Sequence, residues 1–384
     1  MEEMANIFIV SGEESGDLHG SSLMAALKRL MPSLKVGGMG GARMREAGLV
    51  GLDSGEVSVV GVVEVIEKLP RILRTFKELK KNLLGFQADA VVLIDFPDFN
   101  LKFAREVKRL GIPIIYYISP QVWAWRKGRV AKIARLVDKM LVVFPFEEQL
   151  YRDAGVDVEY VGHPLADSAR LGLSGAEAKK DLGLPPESLC VALLPGSRTG
   201  EIKRLLPSML KAAWLIEKSL GEKKPLFLLP AANSIDDSLL DGYLKDSPAE
   251  VKVVRGKMHT ALRASKAAIV ASGTATLETA LIGTPMVIVY RMSPVSYAIA
   301  KALIKLPYAG LPNIIAGREV VRELIQGSAT PEKMAEEIIS MLRDPGKRDS
   351  ILDSYSFIRK SLKSGAAANA ARAVKEVIEK RGRL

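Results

Sequence analysis

Short apolar runs of strand length alternate with helical segments along the whole chain. In the first half the apolar runs are 7–10, 90–94 and 114–118, with helical segments at about 18–30 and 101–110. In the second half the apolar runs are 189–194, 226–230, 251–254, 267–270 and 286–290. This alternation predicts an α/β protein with parallel strands and crossover helices.

The pattern restarts after about residue 170, which predicts two Rossmann-like domains. We place the first at residues 1–170 and the second at 171–355, and we expect the basic helical residues 356–384 to pack back on the first. Ligands of such sheets bind at the carboxyl ends of the strands. We therefore expect the functional residues in the loops that follow the strands of both domains, and we expect these loops to line a cleft between the two domains.

The segment 271–285 is the clearest candidate binding site. It follows the apolar run 267–270 and opens a helical segment, so Ser272, Gly273 and Thr274 should lie where a strand becomes a helix. Backbone N–H groups at such a helix start attract phosphate. Glu278 falls one turn later, within reach of a sugar hydroxyl. A capped helix without a ligand explains the same residues. The residues of the neighbouring loops are therefore needed to distinguish a phosphate site from a simple helix cap.

A second loop of the same domain, residues 195–201, supports the phosphate interpretation. Its Gly and Ser residues make a tight turn in which Ser197 and Arg198 follow the end of a strand. Arginine offers a fixed, bidentate donor that would neutralise a diphosphate. An interdomain salt bridge is the alternative role for Arg198. The polar loop 311–319 adds Asn313 as a further candidate contact for the same ligand.

Acidic residues follow the strands of the first domain. Glu13 lies in the turn after the first strand, and Asp95, Asp98 and Asn100 follow the apolar run 90–94. Helix capping explains Asp98 and Asn100 well. It does not explain Asp95, which comes directly after apolar residues. Partial desolvation should raise its pKa, which suits a general base that takes a proton from an alcohol. Asp98 and Glu13 are the next candidates for that role.

The first domain also offers residues that suit an acceptor sugar. Ser15 and Asn100 carry hydroxyl and amide groups near the acidic turns, and Gln121 and Trp123 lie in the aromatic segment 119–126. Aromatic rings beside arginine can stack on a sugar, although buried packing is the commoner fate of tryptophan.

Composition narrows the class of protein. A content of 48% hydrophobic and 26% charged residues is typical of a folded protein. The single cysteine, Cys190, lies in an apolar run, and a chain with one cysteine fits a reducing, cytoplasmic compartment. Neither a signal peptide nor a spanning segment is expected. No set of His, Cys and carboxylate residues has the spacing of metal ligands, so we expect no metal and no cofactor.

The net charge of +11 predicts an anionic partner, which can be nucleic acid, a membrane surface or a phosphorylated substrate. Residues 68–81 place lysines and arginines around an apolar stripe, as an interfacial helix does; an ordinary surface helix is the alternative. A nucleic-acid-binding protein leaves Glu13, Asp95 and Asp98 unexplained, because carboxylates repel phosphates.

In order and together, these motifs resemble the lipid-A-disaccharide synthase family of inverting glycosyltransferases, which have the GT-B fold. The matching residues are SGEESGD at 11–17, GGARM at 40–44, VVGVVEV at 59–65, DFPDFN at 95–100, SPQVWAWR at 119–126, GHP at 162–164, LPGSR at 194–198, ASGTATLE at 271–278, YRM at 290–292 and LPNIIAGRE at 311–319. Glu14 departs from the family, which more often has a small residue there, so the acid of this turn maps onto Glu13.

The resemblance implies that UDP-2,3-diacylglucosamine donates its sugar to the 6-hydroxyl of 2,3-diacylglucosamine 1-phosphate (lipid X), giving a β-1,6-linked disaccharide 1-phosphate and UDP. It implies a diphosphate on Arg198 and the turn at 272–274, with Glu278 at the ribose. Both substrates are acylated, so we expect peripheral association with the anionic cytoplasmic face of the inner membrane, and oligomers are possible. The alternatives are a UDP-GlcNAc transferase with a polyprenyl-linked acceptor and a UDP-sugar epimerase.

Overall fold

The computed structural model describes residues 5–56, 62–120, 128–169, 172–293, 297, 301 and 306–382. The chain forms two compact units, of which unit 1 comprises Met1–Pro164 and Leu362–Leu384, and unit 2 comprises Leu165–Ser361. The sequence places these boundaries at residues 170 and 355, so each differs by six residues from the structure.

Within its described residues, unit 1 has one seven-stranded parallel sheet with the strand order β3-β2-β1-β4-β5-β6-β7. Its strands are β1 Asn6–Ser11, β2 Lys35–Gly40, β3 Val50–Asp53, β4 Ala90–Ile94, β5 Ile114–Tyr117, β6 Lys139–Val142 and β7 Val158–Tyr160. Its helices before the boundary are α1 Glu14–Leu30, α2 Ala42–Glu46, α3 Val62–Phe86, α4 Pro97–Arg109, α5 Gly128–Ala134 and α6 Pro145–Arg152. A short helix, α7 Pro164–Ser168, begins at the last residue of this part of the unit.

The described part of unit 2 repeats the architecture with a six-stranded parallel sheet in the order β10-β9-β8-β11-β12-β13. Its strands are β8 Cys190–Leu194, β9 Leu226–Ala231, β10 Val251–Arg255, β11 Ala267–Ala271, β12 Met286–Tyr290 and β13 Glu323–Ile325. Its helices are α8 Gly175–Asp181, α9 Thr199–Leu220, α10 Asp237–Leu244, α11 Met258–Ala264, α12 Thr274–Ile282, α13 Leu311–Ala316, α14 Pro331–Arg343 and α15 Pro345–Ser361. The last helix, α16 Ala366–Gly382, returns to unit 1, where the Asn369 amide donates a buried hydrogen bond to the Val161 carbonyl.

Both sheets have the strand order of a doubly wound Rossmann fold. The central strands β4, β5, β8 and β11 are buried along their whole length. Such strands read as continuous apolar runs because helices cover both faces of the sheet. The predicted α/β architecture is confirmed, and every apolar run named above falls on a strand.

The strand register brings specific loops together. In unit 1, Ser11 pairs with Ile94 and Ile94 with Tyr117, so the turns after β1, β4 and β5 emerge side by side. In unit 2, Leu194 pairs with Val270, so the turns after β8 and β11 are neighbours. These two groups of turns hold most of the residues that the sequence singles out.

Candidate active site

The turn after β1 places Glu13 at the carboxyl ends of the central strands of unit 1. Helix α1 begins at Glu14, about four residues earlier than the sequence predicts, so the turn is short and Glu13 is the residue before the helix. Glu13 and Ser15 are exposed. Asp17 has a structural role, since its buried carboxylate accepts hydrogen bonds from the Arg43 and Met44 amides at the start of α2.

Asp95 follows β4 directly and is partly buried. Burial, followed by the nearby negative charge of Glu13, raises the pKa of Asp95 to about 6, although a hydrogen bond from the Phe96 amide works in the opposite direction. A carboxylate with a pKa in this range is ionised at neutral pH and still accepts a proton readily. The predicted upward shift of its pKa therefore agrees with the structure.

Glycine at position 12 lets the turns after β1 and β4 approach each other. A Cβ on Gly12 would lie 2.2 Å from Cδ1 of the Phe96 ring, far inside contact distance. The Phe96 ring in turn stacks on Phe99 with 5.2 Å between ring centroids. This packing fixes the turn that carries Asp95 against the turn that carries Glu13.

Asp98 has a different environment from Asp95. Its side chain is 78% exposed, and its Oδ1 lies 2.7 Å from the Arg129 guanidinium at the start of α5. No motif of the sequence identifies Arg129, which follows the aromatic segment by three residues. An exposed, paired carboxylate has an ordinary environment, so Asp98 is less suited than Asp95 to take a proton.

The predicted acceptor-binding residues differ in their exposure to solvent. Ser15 lies exposed in the first turn of α1. Asn100 is fully buried, and its Nδ2 donates to the carbonyls of Ile94 and Asp95 at 3.1 and 2.7 Å. Direct contact between Asn100 and a sugar stays a prediction, and it would require the side chain to leave these bonds. Gln121 and Trp123 lie outside the described residues.

In unit 2 the turn after β8 presents Arg198 to solvent. Its side chain is 58% exposed and lies 3.7 Å from Glu201 one turn into α9. Glu201 also accepts a hydrogen bond from the Ser197 amide at 3.1 Å, which folds the turn onto the helix start. Gly196 is required there because a Cβ would lie 2.1 Å from the Glu201 carboxylate. The turn is therefore held against the helix start, while the side chain of Arg198 remains exposed.

The turn after β11 carries the predicted phosphate site. Gly273, the residue before α12, has no side chain to cap the helix, and both it and Thr274 are exposed. Nothing lies within 4 Å of the position that a Cβ of Gly273 would occupy. Ser272 is half-buried, and its hydroxyl donates to the Ala309 carbonyl at 2.9 Å. An open helix start beside Arg198 suits a diphosphate.

Glu278 lies one turn into α12 and has a hydrogen-bonding partner, His259, that no motif of the sequence identifies. Its Oε2 is 2.6 Å from Nε2 of His259 in α11, and both side chains are largely buried. His259 follows the end of β10, so the rule that ligands bind after strand ends could have identified it. This contact restricts the orientation of the Glu278 carboxylate.

Asn313 is fully buried in α13, and its side chain bonds to the loop that connects α13 to β13. Its Oδ1 accepts from the Val320 and Val321 amides, and its Nδ2 donates to the Val321 carbonyl and the Glu323 carboxylate. These bonds give Asn313 a role in holding the loop. Its predicted contact with the donor stays a prediction, and it would cost the side chain some of these bonds.

No group of three or more His, Cys, Asp and Glu residues in the described part of the chain is arranged to hold a metal ion. Nor is any helix of that part long and apolar enough to cross a membrane.

Comparison with protein-family models identifies the family. The model described as lipid-A-disaccharide synthetase matches residues 7–377. Among curated proteins, the lipid-A-disaccharide synthase of Syntrophus aciditrophicus is 48% identical over 368 residues, which cover 95% of this chain and 96% of the relative.

Solved structures agree on the fold. The chain is similar to MurG of Acinetobacter baumannii, with a TM-score of 0.59 and 13% identity over 97% of this chain and 99% of MurG. It is also similar to the UDP-GlcNAc 2-epimerase of Neisseria meningitidis bound to UDP-GlcNAc, with a TM-score of 0.60 and 12% identity over 98% of this chain and 99% of the epimerase. Fold alone thus does not separate transferases from epimerases, whereas the family match does. The chain belongs to the lipid-A-disaccharide synthase family and is a glycosyltransferase with the GT-B fold.

Proposed function

We propose that this glycosyltransferase transfers the sugar of UDP-2,3-diacylglucosamine to the 6-hydroxyl of 2,3-diacylglucosamine 1-phosphate, with unit 2 binding the donor and unit 1 supplying the base. Family membership supports the reaction. The separate chemistry of the two groups of turns supports the division of labour, because unit 1 offers carboxylates while unit 2 offers a guanidinium and an open helix start.

Asp95 is the general base in this proposal. The attacking hydroxyl must lose its proton as it bonds to the anomeric carbon, and a carboxylate with a pKa of about 6 accepts it efficiently near neutral pH. This perturbed pKa, at the end of a central strand, is the single observation that carries the assignment. Asp98 is a poorer candidate because it is exposed and paired with Arg129.

Arg198 and the start of α12 bind the donor diphosphate. Negative charge grows on UDP as the glycosidic bond breaks, so a fixed guanidinium and a helix dipole stabilise the transition state more than the bound substrate. Glu278, oriented by His259, accepts a hydrogen bond from the ribose. Inversion follows when the hydroxyl attacks from the side opposite to the departing UDP.

Helix α3 is the membrane-facing element in this proposal. Its second half exposes Arg71, Arg74, Lys77 and Lys81, together with Leu73 and Leu84, which are 55% and 56% exposed. Basic side chains around exposed leucines fit an anionic lipid surface. These features support the proposal that the enzyme acts at the cytoplasmic face of the inner membrane on its acylated substrates.

The direct test is incubation of the purified chain with both acylated sugars, with detection of UDP and of the lipid disaccharide 1-phosphate. We expect both products only when donor and acceptor are present together, and none from Asp95→Asn above background. UDP-GlcNAc with a polyprenyl-linked acceptor serves as the control for the rival transferase. Product from that pair alone would refute the proposed substrates, and epimerised UDP-sugar would indicate the other rival.

A further inference from the structure

The main chain adopts an unusual conformation where β4 ends. Asp95 and Phe96 have φ angles of 45° and 48°, in the left-handed region that residues with a Cβ rarely adopt. Two such residues in succession turn the chain sharply out of the sheet and into α4, which begins at Pro97. A turn of this kind persists only where surrounding groups hold it.

Two buried side chains donate hydrogen bonds to the same atom of this turn, the carbonyl oxygen of Asp95. The Tyr116 hydroxyl, from β5, donates to the Asp95 carbonyl at 2.6 Å. The Asn100 Nδ2, from α4, donates to that carbonyl at 2.7 Å. A carbonyl oxygen accepts two hydrogen bonds, so both positions are occupied. We call Tyr116 and Asn100 the carbonyl clamp.

The clamp is built to remain a donor. Tyr116 is fully buried, and burial raises the pKa of its hydroxyl well above the ordinary value, so the hydroxyl remains a donor at neutral pH. Asn100 also donates to the Ile94 carbonyl at 3.1 Å, which ties the turn to the last residue of β4. The clamp therefore fixes the Asp95 backbone from two directions, and with it the direction of its Cα–Cβ bond.

We propose that the carbonyl clamp is a positioning device for the reaction: Tyr116 and Asn100 fix the turn so that the Asp95 carboxylate stands where it takes the acceptor proton. This inference rests on the proposed function, in which Asp95 is the base. It gives buried Asn100 a task in the reaction without contact with the sugar, and it adds Tyr116, which no motif identifies.

The main test is Tyr116→Phe, which removes only the hydroxyl and keeps the ring in the core. We expect kcat to fall about ten- to a hundredfold, because small misplacements of a reacting group carry costs of this size. The KM values of both substrates should stay within about twofold, since donor and acceptor binding do not use this hydroxyl. Tyr151→Phe is the matched control, because Tyr151 is equally buried in unit 1 and its hydroxyl faces Ser119 and does not bond the Asp95 carbonyl.

A pH profile separates positioning from general destabilisation. Asp95 is faced by Glu13 from the turn after β1 and by the Tyr116 phenol from β5, with Asp98 three residues further on. When the turn relaxes, Asp95 gains solvent, so the acid limb of kcat/KM in Tyr116→Phe should move to lower pH. In Tyr151→Phe the limb should stay in place, even if the melting temperature falls by a similar amount. Asn100→Ala should reproduce the Tyr116→Phe profile.

The outcomes distinguish this inference from the function on which it rests. If Asp95→Asn is inactive while Tyr116→Phe keeps a normal kcat and an unmoved acid limb, the clamp is structural and the inference is wrong. An equal fall of kcat in Tyr116→Phe and Tyr151→Phe would overturn it as well. If Asp95→Asn retains near-normal turnover, the base assignment itself fails, and the clamp loses its role with it.

Discussion

Two aspartates three residues apart show how environment assigns chemical roles. Asp95 is partly buried beside Glu13, so its proton is held more tightly, whereas Asp98 is exposed and paired with an arginine. Burial and a like charge push the pKa of a carboxyl group upward, and the two effects act on Asp95 together. Acid and base assignments follow from such contrasts between neighbouring groups.

The pKa of Asp95 predicts the acid limb of the activity. Because the base must be ionised, kcat/KM should fall as the pH drops below about 6, with a slope that corresponds to one proton. Asp98→Asn should leave the midpoint of this limb in place, and Glu13→Gln should move it to lower pH by removing the like charge. A limb centred near pH 4 in the wild-type enzyme would contradict the assignment.

Residue-level chemistry could be predicted from the sequence where a residue lies in the turn, or in the first turns of the helix, that follows an apolar run. Asp95, Arg198 and Glu278 were identified in this way. Tyr116 lies inside β5, where it looks like any core aromatic residue, and Arg129 follows a segment without a strand signal. Such partners are brought together by the register of parallel strands, which a single sequence does not display.

At the scale of elements, the apolar strands were easier to predict than the glycine-rich strand β2. Strand β2 escaped prediction because Gly37, Gly38 and Gly40 replace the apolar residues expected of a buried strand. The structure explains these glycines by close approach: Gly38 has φ +136°, and a Cβ there would lie 1.9 Å from the Ile9 carbonyl oxygen. Backbone proximity of this kind leaves no periodic pattern in the sequence.

Helix α3 should bind anionic vesicles through its basic face. Each lysine near an anionic surface contributes about 1 kcal/mol, so the double variant Lys77→Ala, Lys81→Ala should weaken binding about tenfold or more. Binding should also weaken as salt rises, because exposed charges are screened. Sedimentation with phosphatidylglycerol-containing vesicles measures both effects.

The matched control for this experiment is the double variant Lys223→Ala, Lys245→Ala, which removes the same charge from exposed positions of unit 2. We expect it to bind vesicles nearly as well as the wild type. Equal losses in both variants would show that net charge alone drives the association. Wild-type protein that stays in the supernatant at low salt would remove the membrane role of α3 altogether.

At the scale of the molecule, one architecture occurs twice with opposite charge at its strand ends. Both units use the same order of central strands, yet unit 1 places Glu13 and Asp95 after them while unit 2 places Arg198 and an uncapped helix start there. The sequence predicts this duplication from its restarting pattern. The predicted boundaries at residues 170 and 355 each lie six residues from those of the two compact units. No composition shift marks the return of the chain to unit 1, which α16 makes with a buried hydrogen bond from Asn369.

This division predicts that UDP affinity and turnover respond to different units. In the full-length chain, Arg198→Ala should weaken UDP binding about tenfold or more, since hydrogen bonds to charged groups contribute about 1.5–3 kcal/mol. Arg322→Ala is the matched control, because Arg322 is also 58% exposed and paired with a glutamate three residues away, but lies at the amino end of β13.

Glu278→Gln should weaken UDP binding too, whereas Asp95→Asn should abolish turnover and leave the UDP affinity within about twofold of the wild type. Isothermal titration with UDP measures all four variants. If Asp95→Asn lost UDP affinity as strongly as Arg198→Ala, the donor would depend on unit 1 and the division of labour would be wrong.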